Sequence, residues 1–285
     1  MLISTPQAQI YAYTGGKPFD PQRPTVVFIH GVLNDHSVWI LQSRYLAHHG
    51  YNVLAIDLPG HCKSSGEPPA TVEDAAQSVI AMLDALDIHA ATIVGHSWGS
   101  LIALETSRQA PNRVSHIVLV GTAYPMKVSP ALIENSLSNP MQALRMINVF
   151  SRATLCAPPS VMGPGTWVFG AGMALGKRVL ASHPTINLFH RGFVACDSYQ
   201  GGEVAAQSLQ CPALFVLGDA DQMTPAKAAQ SLIKLAKSTG QPIEVVHLDV
   251  GHHQMSEDPD GTLQAIFGFL KKHPTAPQQG LATAE

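Results

Sequence analysis

The ten residues "ATIVGHSWGS", Ala91 to Ser100, decide the fold. "ATIV" is apolar and β-branched on both faces, as a strand covered by helices on both sides must be. From about Trp98 onward, "GSLIALETSRQAP" carries apolar residues at helical spacing. Between strand and helix stands G-x-S-x-G, with Gly95, Ser97 and Gly99. A sharp turn there projects the serine hydroxyl away from the backbone, and the glycines leave room where any side chain would collide. A serine hydroxyl is a weak nucleophile until a base takes its proton, so Ser97 in this role requires a base and an acid elsewhere in the chain. The bland alternative, a serine capping a helix in a glycine turn, requires neither.

Working outward, "TVVFIH", "NVLAID" and "SHIVLVG" repeat the apolar strand pattern and alternate with the helical patterns "SVWILQSRYLAHHG" and "TVEDAAQSVIAMLDALD". That alternation is the signature of βαβ units and a mostly parallel central sheet flanked by helices. Thr71 is placed to cap a helix ahead of Asp74, and Gly50 to end one after His48 and His49. After Gly121 the alternation stops until "PALFVLGDAD" at Pro212, a gap too long for a loop. Its contents read as several helices inserted between two strands. "IEVVHLDV" resumes the sheet, and a helix from about Gly261 to Lys272 closes it. The expected organisation is a core of residues 1–122 and 209–274, a helical insertion over 123–208, and a disordered tail over 275–285.

Composition narrows the function classes. Of the 285 residues, 13% are charged and 46% hydrophobic, which implies extensive burial or an apolar cavity. A formal net charge of -3 gives no electrostatic footprint for nucleic acid. The start of the chain lacks a basic segment followed by an apolar one, so export is not expected and a cytoplasmic location is. "VMGPGTWVFGAGMALG" is too short and too broken to span a bilayer. The glycines at 163, 165, 170, 172 and 176 follow no strand, which argues for close helix packing rather than a dinucleotide loop. Cys62, Cys156, Cys196 and Cys211 have no metal-binding or redox spacing and read as free thiols. No histidine spacing is typical of zinc, so neither a metal nor a cofactor is expected, and the oligomeric state stays open.

Four motifs together resemble the α/β-hydrolase superfamily: "GHSWG", "FIHGVLNDHSVW", "DLPGHCKS" and "GDADQMTP". The resemblance runs through nearly the whole chain outside the insertion. It implies a serine-nucleophile member with an inserted helical cap, an acid after the seventh strand and a base near the C-terminus. It puts the nucleophile at Ser97, the acid at Asp221 and the oxyanion-hole amides at Val32 and Trp98. Asp219, the competing acid, reads as a turn aspartate bonded to backbone two residues on. Cys62 stands where the superfamily usually has glycine, so the turn there is expected to differ.

Two adjacent histidines compete for the base. Counting from His252, the superfamily's acidic and proline slots hold Glu257 and Pro259; counting from His253 they hold Asp258 and Asp260. His252 is the expected base and His253 a neighbour lining the pocket rim. His30 is expected to hold its loop, and His30, His96, His253 and Trp167 are the candidate substrate-contacting residues. Serine rather than aspartate at the elbow points to acyl transfer, and the apolar insertion points to a small or medium hydrophobic ester as substrate. Thioesters, lactones, amides and C–C bonds suit the same residues, and a non-catalytic ligand receptor on this scaffold is the alternative from another class.

Overall fold

The computed structural model describes residues 1–155 and 167–275. Among the described residues there are eight strands: β1 (Leu2–Ser4), β2 (Gln9–Tyr13), β3 (Thr25–Ile29), β4 (Asn52–Ile56), β5 (Ala91–His96), β6 (Val114–Val120), β7 (Ala213–Gly218) and β8 (Ile243–Leu248). They form one sheet in the order β1-β2-β4-β3-β5-β6-β7-β8. The pairs β1/β2 and β2/β4 are antiparallel and all others parallel.

The six parallel strands are those the apolar runs predict. The first two are not, because β1 has three residues and β2 five. Ile10 and Ala12 do alternate with more exposed neighbours, a period-two signal too short to stand out from loop. β3, β4, β5 and β7 are buried along their whole length, whereas β8, at the sheet edge, is not.

Helices cover both faces. α1 (Ile40–His48), α10 (Gln254–Glu257) and α11 (Pro259–Lys272) bury Leu46, Met255, Ile266 and Phe269 against one side. α2 (Val72–Ala85), α3 (Trp98–Gln109), α8 (Gly202–Gln207) and α9 (Gln230–Lys237) bury Met82, Leu101, Ala205 and Leu232 against the other. The Thr71 hydroxyl caps α2, accepting from Asp74 N–H at 3.0 Å, and Gly50 follows α1 with φ +93°.

Between β6 and β7 the chain forms α4 (Pro130–Ser138), α5 (Pro140–Phe150), α6 (Val168–Leu180) and α7 (Leu188–Ser198) before α8. Proline in the first turn and the caps Ser129 and Asn139 start α4 and α5 where the sequence predicts helix. Leu132, Leu144, Val179 and Phe189 build a separate apolar cluster that also takes Leu33, from the loop after β3. This contact seats the helical layer on the strand ends. Gly172 and Gly176 leave room for Asn148 and Leu144, the close packing the glycine pattern predicts. Cys156, Met162, Gly163, Gly165 and residues 276–285 of the expected tail lie outside the described residues. Among the described residues no helix is long and apolar enough to cross a membrane.

The parallel strands set the positions of the site. In register, Ile29 lies beside Ile56 and Gly95, His96 beside Val120, and Gly218 beside Leu248. Their C-terminal ends therefore deliver Gly31, Asp57, Ser97, Gly121, Asp221 and His252 to a single edge of the sheet, where open α/β sheets bind ligands.

Candidate active site

Ser97 joins β5 to α3 with φ +54° and ψ −118°, a conformation that a side chain rarely adopts. Its N–H donates to Val120 O at 2.9 Å, and its carbonyl accepts from Ser100 N–H at 2.8 Å, so the turn is over-determined. A β-carbon at Gly95 would come within 1.9 Å of Gly99 O, and one at Gly99 within 2.5 Å of Ile29 O. Both obstacles are backbone, so neither glycine has a substitute without movement of the turn. Gly95→Ala is expected to lower the unfolding free energy by about 1–3 kcal/mol, read as a lower urea midpoint; an unchanged midpoint would contradict this geometry.

On the next loops stand the acid and the base candidates. Asp221 Oδ1 accepts N–H bonds from Met223 and Thr224, each 2.8 Å. Its Oδ2 accepts from His252 Nδ1 at 2.8 Å and from the Thr224 hydroxyl at 2.7 Å. Burial opposes ionisation of Asp221, but the charge and hydrogen bond of His252 and the bonds from Thr224 outweigh it and hold the carboxyl down at about 2. Sequence reasoning did not single out Thr224. Its hydroxyl also lies 2.9 Å from Gly121 O and 3.0 Å from His252 Nδ1, tying three loops together. Asp219 corrects the expectation of a backbone-bonded turn residue. Its carboxylate meets the exposed His247 ring at 2.6 Å, and it is Asp221 that bonds the backbone two residues on.

His252 and Ser97 border the same two cavities, of about 240 and 390 Å³. With Nδ1–H directed at Asp221, the remaining nitrogen of His252, Nε2, is the one open to a proton from a neighbour. Val32 borders both cavities too, and Trp98 is the first residue of α3, where amides have no acceptor inside the helix. His253 borders the smaller cavity, but its N–H is held by Glu257 Oε1 at 3.1 Å and its ring makes no bond to Asp221.

The remaining candidates divide. His96 borders the smaller cavity and donates from Nε2 to His252 O at 2.7 Å, steadying the loop that carries His252. His30 does not reach either cavity. It is fully buried, accepts Leu58 N–H at Nε2 (3.2 Å) and donates from Nδ1 to Gly31 O (2.9 Å), so it locks the loop after β3 to the loop after β4. Its place among substrate contacts is therefore corrected to a loop-holding role. Trp167 is also not brought to the site: it is 72% exposed, packs on Phe169, and borders neither cavity. Of the apolar insertion residues, Met126, Met146, Phe150 and Phe193 line the larger cavity, while Met173 and Phe189 belong to the helical cluster.

Cys62 has φ +47°, the left-handed backbone that a glycine would take, so the turn keeps its shape and the side chain bears the strain. Burial first, and then the carboxylates of Asp35 and Asp57, push its thiol up to about 12. Such a thiol is a poor nucleophile at neutral pH. Asp35, His36 and Asp57 bring donor atoms within 4.8 Å of one another. Each is already engaged: Asp35 with Ser37 and Arg178, and Asp57 with His36 and the Lys63 amide.

Burial pushes the pKa of His61 and His96 down to about 3 and lowers those of His30 and His253, with neighbouring histidines adding to the effect. In the unfolded chain these rings take up protons near their ordinary value of about 6.5. Their folded values are depressed, so their stabilising contribution is complete above that value and is lost as the pH falls toward 3. Between pH 7 and pH 5, His61 and His96 together are expected to remove about 4 kcal/mol from the unfolding free energy. Urea titrations at the two values check this; equal stabilities would contradict it.

A family model described as alpha/beta hydrolase fold matches residues 24–163. The dihydrolipoyllysine-residue acetyltransferase component of the acetoin cleaving system of Pseudomonas putida is 27% identical over 261 residues, covering 87% of this chain and 64% of that protein. The chain thus spans less than two thirds of the length of such curated relatives. An esterase from Exiguobacterium antarcticum superposes with a TM-score of 0.78 at 19% identity, over 95% of this chain and 98% of that one. The enol-lactonase from Burkholderia xenovorans LB400 gives 0.76 at 19%, over 95% and 100%. At these identities the two structures speak to the fold.

Proposed function

We propose that this chain, which the alpha/beta hydrolase fold model matches over residues 24–163, cleaves hydrophobic carboxylic esters through Ser97, His252 and Asp221. The observation that carries this reading is the strained Ser97 turn opening into the same cavities as His252, whose far nitrogen is bound to a buried carboxylate.

His252 Nε2 takes the proton as Ser97 Oγ attacks the ester carbonyl. Asp221 keeps the ring in the tautomer with Nδ1–H and stabilises the imidazolium that forms. The amides of Val32 and Trp98 receive the developing oxyanion; fixed backbone donors need no reorganisation as charge appears. The alcohol leaves with the proton from His252, and water, activated by the same ring, releases the acid from the acyl-enzyme. Met126, Val128, Leu132, Met146 and Phe150 in the larger cavity favour an apolar group on one side of the scissile bond, and the helical layer above acts as its cap.

A fluorophosphonate probe tests the nucleophile directly. The folded protein is expected to acquire one adduct, mapped to Ser97 by peptide mass spectrometry. A folded protein that stays unlabelled would favour the reading as a ligand receptor.

A further inference from the structure

Among the described residues that line the smaller cavity, one carries a guanidinium, Arg152. Arg152 stands two residues past the end of α5, and its segment is pinned to the loop that carries His252. His252 N–H donates to Ser151 O at 2.7 Å, and Ala153 N–H donates to Glu257 Oε2 at 2.8 Å. A β-carbon on Gly251 would lie 2.9 Å from the Arg152 backbone. Arg152 itself reaches Ser256 Oγ at 3.5 Å, and its Nε is buried with no partner among the described residues.

Among the described residues no carboxylate forms an ion pair with this cation. Among the described residues that line the cavity there is no aspartate or glutamate. Glu257 is the acid whose charge Arg152 feels, yet its two oxygens are occupied by the amides of Ala153, Gly251 and His253. The stretch from 156 to 166, "CAPPSVMGPGT", contains no acidic residue. The neighbouring His253 ring is kept neutral by burial and by the charge of Arg152, so it does not compete for an anion. Arg152 is half-buried and its Nε fully so; a buried donor left unmet on a cation is expensive to keep, and its natural complement is an oxyanion that accepts charge-assisted hydrogen bonds.

We infer that the smaller cavity binds a carboxylate carried by the substrate, seated on Arg152. Deepening the esterase reading on which it rests, this makes the substrate a half-ester of a dicarboxylic acid or its equivalent, anionic on one side of the scissile carbonyl and apolar on the other. The competing account is that Arg152 merely complements the C-terminal end of the α5 dipole.

Calorimetric titration of the Ser97→Ala protein with monobutyl glutarate and with the neutral butyl methyl glutarate separates the two accounts without needing turnover. The anion is expected to bind about tenfold tighter than the diester, a preference lost in Ser97→Ala/Arg152→Met and partly kept in Ser97→Ala/Arg152→Lys. Equal binding of the two compounds, or binding of neither, overturns the inference, and this comparison decides even if the double variants do not fold. Butanol release by the wild-type protein tells its failure from that of the esterase reading. Anion preference without butanol release sinks the nucleophile and leaves the carboxylate site, whereas release without anion preference sinks the carboxylate site and leaves the nucleophile.

Discussion

Replacing Ser97 by alanine is expected to lower the turnover of a hydrophobic aryl ester such as p-nitrophenyl butyrate by at least about 10⁴-fold. The change removes only the side-chain oxygen; the backbone there is held by Val120 O and Ser100 N–H, and those bonds remain in the variant. Urea stability should therefore stay close to that of the parent while initial rates collapse. Loss of an oxyanion donor alone typically leaves a deficit of about 10²–10³-fold, so the size of the effect distinguishes a nucleophile from a neighbour that merely polarises the carbonyl. A folded Ser97→Ala protein that keeps a tenth of the parent rate would remove Ser97 from the mechanism.

The second large effect separates the adjacent histidines. His252→Ala is expected to approach the loss seen for Ser97→Ala, because it removes the proton acceptor and leaves buried Asp221 without the hydrogen-bond donor that faces it. His253→Ala should act mainly on KM, since His253 borders the smaller cavity but makes no contact with Asp221. Asp221→Asn belongs with the first pattern. An amide holds the imidazole in the wrong tautomer even where the geometry survives, and that alone costs about 10⁴-fold in kcat. Rates and KM for the three variants on one ester decide the matter; a larger kcat defect in His253→Ala than in His252→Ala would reverse the assignment.

The depressed carboxyl of Asp221 adds a condition to these measurements. Held at about 2, it stays ionised throughout the range in which the enzyme is assayed, so the acid limb of a rate profile cannot arise from its protonation. Stability fails earlier on the acid side, as the buried histidines charge in the unfolded chain, and assays below about pH 5 need a parallel check that the protein is folded.

The carboxylate site and the triad rest on different kinds of legibility. Ser97 is visible in the linear chain because it sits at the end of an apolar strand between two glycines, and Asp221 and His252 because their motifs resemble those of the α/β-hydrolase superfamily. The reason is local. A turn that must pass Gly99 O within 1.9 Å of a would-be side chain admits only glycine at position 95, and such steric demands mark the sequence. The same applies to the insertion, where proline and the caps Ser129 and Asn139 start helices by local hydrogen bonding.

Tertiary structure decided the rest. Thr224 joins Asp221, Gly121 and His252 only because β6, β7 and β8 lie side by side, and nothing in its own neighbourhood of the chain announces that. His30 and Trp167 show the converse: residue type made both plausible at a substrate, but burial turned one inward to brace two loops and left the other 72% exposed. Arg152 was silent in the sequence because its significance lies in what surrounds it, a cavity whose described lining holds no carboxylate. By itself, then, the chain determined the order of elements and the Ser97 turn, since those depend on backbone sterics and periodicity within a few residues, and through the resemblance of its motifs it pointed to Asp221 and His252 as acid and base candidates. Which groups meet across strands, and which charges lack an ion-pair partner, depended on contacts between residues often more than a hundred positions apart, which only the folded chain brings together.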